Sequence, residues 1–205
     1  MKLKVCGLRE PQNIEQICQL DIHYVGFHFH KASPEFIGDR ISFDFVRSLP
    51  KHIRKAGVFA DQDSYAIFSA VARYDLDLVQ LQGKESPAFC RELRPYVKVA
   101  KAFEVSDHFN VEILERYIPH VDYFLFDVNT NGSFPDEVLQ RYPYEVPFFL
   151  RGAISGASLP SVGKLRCSRL FGLDLSTGPG PEVGLSDPSA IRAFIDRLRR
   201  DNQGS

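Results

Sequence analysis

Tyr123-Phe124-Leu125-Phe126-Asp127 decides how this chain is read. Four apolar side chains follow one another without a polar interruption, and a carboxylate closes the run. A strand with one solvated face alternates apolar and polar residues. A strand covered on both faces need not, and that is the habit of parallel sheets with helices packed outside them. The run is short for a helix, so it predicts a strand over 123–127.

Comparable runs recur on both sides. Residues 2–6, 24–29, 53–60, 78–81 and 97–102 precede it, and 146–150 and 170–175 follow it. Helical patterns fill the intervals. In 11–20, Ile14, Ile17 and Cys18 share one stripe, and Pro11 suits a first helical turn. In 64–74, Ile67, Phe68 and Val71 face inward; in 188–200, Ile191, Phe194, Ile195 and Leu198 form the buried face. Shorter helical segments are expected over 43–49, 87–93, 111–117 and 135–141, and a weak one over 157–165 with Pro160 near its start. Eight strand–helix units with right-handed crossovers predict a single-domain (β/α)8 TIM barrel covering 1–205. A doubly wound open sheet with fewer strands is the alternative. No linker, low-complexity tract or charge block divides the chain.

Composition narrows the function classes. The 205 residues are 44% hydrophobic and 25% charged, which is ordinary for a globular protein with a sizeable core. A net charge of −1 supplies no field for steering to nucleic acid or a membrane, so any positive site must be local. The opening Met1-Lys2-Leu3-Lys4-Val5-Cys6 is too interrupted for a signal peptide, and no run reaches the length of a membrane span. Cys6, Cys18, Cys90 and Cys167 are scattered, with no CxxC spacing. These features predict reduced thiols in a cytoplasmic protein, a monomer or homodimer acting on a small molecule.

In a barrel of this kind the chemistry sits at the C-terminal ends of the strands. Those ends carry Cys6, His28 and His30, Asp61, Gln82, Lys101, Asp127, Arg151, and Ser176 with Thr177. A thiol and a carboxylate closing two such strands would face each other across one mouth. The loops after the seventh and eighth strands, Arg151-Gly152-Ala153 and Ser176-Thr177-Gly178, suit phosphate: glycine admits the backbone and hydroxyls add donors. His28 and His30 point to one side of a strand, but no further ligand completes a metal set. Ser33 and Ser176 lack the GxSxG elbow of a hydrolase. The basic end of the last helix, Arg197 to Arg200, complements the helix dipole.

Taken in order, Lys4-Val5-Cys6-Gly7-Leu8-Arg9, Val25-Gly26-Phe27-His28-Phe29 with Ser33-Pro34, Ala56-Gly57-Val58-Phe59, Asp77-Leu78-Val79-Gln80-Leu81-Gln82-Gly83, Val99-Ala100-Lys101-Ala102, Phe124-Leu125-Phe126-Asp127 and Leu173-Asp174-Leu175-Ser176-Thr177-Gly178 span nearly the whole chain. This ordered set resembles the phosphoribosylanthranilate isomerase family. The resemblance implies an Amadori rearrangement in tryptophan biosynthesis: an aminoaldose phosphate opens, passes through a Schiff base and an enolamine, and becomes an aminoketose. It implies no metal and no cofactor. Asp127 would protonate the furanose ring oxygen, and Cys6 would take the proton from the sugar carbon beside the imine. Substrate and phosphate contacts are expected from Arg9, Gln82, Gly152, Ala153, Ser176 and Thr177. A free thiol is only a few per cent ionised at neutral pH, so Cys6 needs a positive neighbour, and Lys4 or Arg9 is close in sequence.

The chain departs from the family pattern around substrate recognition. Glu35 stands where the family has an arginine for the anthranilate carboxylate, Ala153 replaces the second glycine of a Gly-Gly pair, Gln82 replaces a histidine, and the loop after the sixth strand is short. Two like charges about 4 Å apart at an effective dielectric near 20 cost roughly 4 kcal/mol. The departures predict altered specificity, or binding of a phosphorylated metabolite without isomerisation, as the alternative to the family reaction.

Overall fold

The computed structural model describes residues 1–106, 108–128, 139, 142–152, 167–176 and 183–203. Eight parallel strands close in chain order into a barrel. They are β1 Lys2–Cys6, β2 Tyr24–His28, β3 Arg54–Phe59, β4 Leu78–Leu81, β5 Lys98–Val105, β6 Tyr123–Val128, β7 Phe148–Gly152 and β8 Leu170–Ser176. The closing seam pairs Lys4 with Asp174 and Cys6 with Ser176.

Outside the barrel lie α1 Pro11–Cys18, α2 Phe43–Ser48, α3 Ser64–Tyr74, α4 Pro87–Leu93 and α5 Pro188–Gln203. Local chemistry starts and stops them. The side chains of Ser42, Asp63 and Ser86 accept hydrogen bonds from the backbone N–H groups of Phe45, Ala66 and Phe89, which satisfies donors the first turn leaves open. The backbone turns left-handed at Asp75 to end α3. Residues 111–117, expected as an α-helix, form the 3-10 segment Val111–Arg116, followed by a second one, Ile118–His120. Pro119 has no N–H and disfavours α geometry at Ile118, so the tighter winding wins. β7 begins two residues later than the sequence predicts, because Pro147 cannot donate to the ladder. The segment expected over 135–141 falls outside the described residues except for Leu139, and that over 157–165 falls outside them entirely.

Period-two alternation sorts the strand residues onto two faces. Outward residues such as Leu3, Val5, Phe124, Phe126, Phe148 and Leu150 join the large core beneath the helices. Inward residues grade upward through the barrel. At the base, Ala56, Leu78, Ala100, Leu125 and Phe149 pack with Tyr24, Tyr123 and Phe171. Above them lie the fully buried Lys4, Gln80 and Asp174. Cys6 and Gln82 lie two residues beyond Lys4 and Gln80, and Asp127 and Arg151 two residues beyond Leu125 and Phe149, toward the C-terminal mouth.

The candidate active site at the barrel mouth

Cys6 ends β1 and Asp127 lies one residue before the end of β6, so strand parity turns both inward at the same end. Arg151 on β7 joins their surroundings. Its Nε and NH2 both donate to Asp127 Oδ2, at 3.0 and 2.5 Å, and its NH1 donates to Gln82 Oε1 at 3.1 Å. Asp127 Oδ1 receives no hydrogen bond among the described residues. Burial opposes the Arg151 charge, but Asp174 and Asp127 outweigh it and leave the guanidinium pKa raised. The arginine that the sequence offered as a phosphate contact is thus held by the carboxylate beside it.

Cys6 sits deep, with 1% of its surface exposed. Gly26 makes this possible, because a Cβ there would come within 2.5 Å of the Cys6 sulfur. Lys4 Nζ lies 3.5 Å from Sγ, donates to Asp174 Oδ2 at 2.8 Å, and donates to Gln80 Oε1 at 2.5 Å. Gln80 Nε2 and Asp174 Oδ1 find no partner among the described residues. Burial pushes the Cys6 thiol up to about 11; Lys4 and Arg151 pull it down, while Asp174 and Glu35 push it further up. The positive neighbour that the thiol requires is therefore present as Lys4, but burial outweighs it.

Arg9 lies elsewhere. Its NH1 and NH2 donate to the carbonyls of Pro34 and Val183, at 2.7 and 2.5 Å, so it clasps the loops after β1 and β2 to the segment leading into α5. A side chain at Gly184 would collide with the arginine. Lys101 is turned to the outer face, opposite Ala100 and Ala102. There it donates to the carbonyls of Leu81 and Gly83 and to Glu85 Oε2, while Glu85 Oε1 accepts from the N–H groups of Asp61 and Gly83. Lys101 and Asp61 thus knit the ends of β3, β4 and β5 together. Gly152 has φ +138, and a Cβ there would strike the Val128 carbonyl, so its backbone requires glycine. Ser176 closes β8; Ala153 and Thr177 lie outside the described residues.

Sequence reasoning missed how Glu35 and His28 belong to the site. His28 Nε2 lies 3.2 Å from Glu35 Oε2 and 3.5 Å from Cys6 Sγ, and Nδ1 lies 2.9 Å from Ser33 Oγ. Arg40, a few residues further along the same loop, meets Glu10 at the surface, 3.3 Å away. The missed signal was parity: His28 shares the inward face of β2 with Gly26, the residue that faces Cys6. Among the described residues no group of three or more His, Cys, Asp or Glu could hold a metal ion, and no helix is long and apolar enough to cross a membrane.

Burial, with the charges of Lys4 and Arg151, lowers the His28 pKa from 6.5 to about 3. Between those values the unfolded chain binds more protons than the folded one, so stability falls as pH drops from about 6.5 toward 3. Urea unfolding at neutral and acidic pH should show a larger acid loss in the wild type than in His28→Gln. Equal losses would exclude His28 as the source.

The sequence and the barrel have known counterparts. A sequence model of the N-(5'phosphoribosyl)anthranilate (PRA) isomerase family matches residues 3–197. The N-(5'-phosphoribosyl)anthranilate isomerase of Parabacteroides distasonis is 34% identical, over 97% of this chain and 93% of its own length. That of Phocaeicola vulgatus is 31% identical, over 99% and 100%. The crystal structure of the phosphoribosyl anthranilate isomerase from Thermus thermophilus superposes with a TM-score of 0.85 at 23% identity, covering 98% of this chain and 99% of that one. A second such isomerase, solved in complex with reduced 1-(o-carboxyphenylamino)-1-deoxyribulose 5-phosphate, superposes at 0.80 with 24% identity over 98% and 99%. These two structures share the barrel; the family model and the two sequence relatives carry the assignment. This chain belongs to the phosphoribosylanthranilate isomerase family.

Proposed function

We propose that the protein catalyses the Amadori rearrangement of N-(5-phosphoribosyl)anthranilate in tryptophan biosynthesis, with Asp127 as the acid and Cys6 as the base. One observation supports the pairing above the others. Arg151 binds Asp127 directly, and its charge acts on the Cys6 thiol, so an acid and a proton acceptor share one cationic neighbour at the mouth. Asp127 Oδ1, outside the arginine fork, is the oxygen suited to deliver a proton to the furanose oxygen. Lys4 stabilises the thiolate that removes the proton from the sugar carbon next to the imine. Gly152, Ala153, Ser176 and Thr177 would surround the phosphate, and Gln82, held by Arg151, would contact the sugar.

The test is loss of substrate fluorescence on adding purified protein. If Cys6 is the base, the thiolate fraction sets the rate. With the thiol near 11, kcat/KM should climb about tenfold per pH unit above neutrality. A rate flat between pH 7 and 9 would remove Cys6 from that role.

Glu35 favours a second reading, in which the same rearrangement acts on an aminosugar phosphate whose aglycone carries no negative charge. Turnover of the aniline analogue without turnover of the anthranilate compound would select it. So would a gain of anthranilate turnover in Glu35→Arg.

A further inference from the structure

Glu35 carries a proton acceptor that the acid–base pair does not use. Its position is built. Phe36 bridges to His28, and the Ile37 N–H donates to the His28 carbonyl at 3.0 Å, which fixes the loop to the end of β2. The Glu35 N–H donates to Ser33 Oγ at 3.1 Å. One proton assignment satisfies the group: His28 Nε2–H donates to the carboxylate, the Ser33 hydroxyl donates to Nδ1, and Ser33 Oγ accepts from Glu35. Gly7 has φ +89, and a side chain there would occupy the space of the carboxyl group. Glycine at this position therefore admits Glu35 beside the end of β1. Sulfur and carboxylate flank the same ring nitrogen, at 3.5 and 3.2 Å. The same imidazole thus ties the thiol and the Glu35 carboxylate to one corner of the barrel mouth.

The rearrangement needs such a group. Removing the C2 proton from the Schiff base gives an enolamine, which still holds a hydroxyl at C2. Forming the ketone requires a proton to be added at C1 and the hydroxyl proton to leave.

Resting on the isomerase reading, we propose that Glu35, positioned by His28 and Ser33, is the base that takes the C2 hydroxyl proton as the enolamine becomes the ketone. The O–H bond breaks toward Glu35, the carbonyl forms at C2, and the C1–C2 π pair takes the proton from the Cys6 thiol. Cys6 returns to thiolate. Over the cycle Asp127 loses one proton and Glu35 gains one, and solvent exchanges the two. Lys4 and Arg151 supply positive charge around the thiol, and Asp174 supplies negative charge from β8.

The experiment follows phosphoribosylanthranilate turnover in D2O together with exchange of the C2 proton in recovered substrate. In the wild type, product forms faster than exchange. In Glu35→Gln, kcat should fall about 10- to 100-fold with little change in KM. Exchange at C2 should continue and outrun product formation, and Glu35→Asp should recover part of the rate. A Glu35→Gln kcat within about twofold of wild type would overturn the assignment. So would a parallel loss of exchange and turnover in Glu35→Gln and Glu35→Asp with unchanged circular dichroism, or any gain of turnover in Glu35→Arg. A wild-type protein that neither exchanges C2 nor makes product would remove the isomerase reading itself, and Glu35 with it.

Discussion

Cys6→Ala and Asp127→Asn should each lower kcat/KM by about 10²- to 10⁴-fold, the range that positioned proton transfer contributes. The two losses should differ in character. Asp127→Asn preserves shape and removes the transferable proton, so ring opening stops and the C2 proton of recovered substrate should not exchange. It also removes the charge held by Arg151, freeing the NH2 and Nε groups that now meet Oδ2. Cys6→Ala leaves the acid in place, and the substrate should open without forming enolamine. The buried sulfur contributes packing as well, so unfolding curves must accompany the rates. Normal turnover in either variant, with the fold intact, would dissolve the proposed pair.

Lys4→Met should produce the largest loss of stability. The side chain is fully buried, and its ammonium group holds Asp174 at 2.8 Å and Gln80 at 2.5 Å in the barrel interior. Removing one member of a buried pair leaves the other charge unmatched, at a cost of about 3–5 kcal/mol. The orphaned Oδ1 of Asp174 shows that this carboxylate has no second donor waiting among the described residues. Replacing both partners, as in Lys4→Met with Asp174→Leu, should recover most of the loss, because an apolar pair carries no desolvation cost. Urea unfolding of the singles and the double closes the cycle. A Lys4→Met loss under about 1 kcal/mol would mean that water or another cation reaches Asp174.

The barrel was legible because eight apolar runs, each followed by a helical or turn pattern, leave few alternatives to a closed parallel sheet. The ends of elements were less so. Pro119 and Pro147 carried the information for the 3-10 segments and for the late start of β7, but their effect depends on which backbone groups pair. Cys6 and Asp127 were visible as strand ends. Lys101 was visible in the same way and faces outward, so position along a strand does not locate a side chain unless its parity is followed as well. Lys4 and Asp174 showed a signal of their own, a charge inside an apolar run, which in a two-sided strand implies a buried partner. Arg9 was expected as a substrate or phosphate contact from the resemblance; the two carbonyls that converge on it are not legible in the sequence. The Glu35–His28 contact depends on how one loop folds back, and no local pattern encodes that.

The alternation of the strands also fixes how the chemistry is addressed along the gene. In β6, Phe124 and Phe126 serve the shell, whereas Tyr123, Leu125 and Asp127 line the interior. Deleting one codon upstream within that strand would swap the two sets, burying the acid among aromatic rings and exposing a phenylalanine to the ligand. A two-codon deletion would keep the faces but lower the acid to the place of Leu125, among the apolar side chains at the barrel base. Point substitution is therefore the open path for altering this pocket, and length changes must be confined to the connections beyond the strand ends.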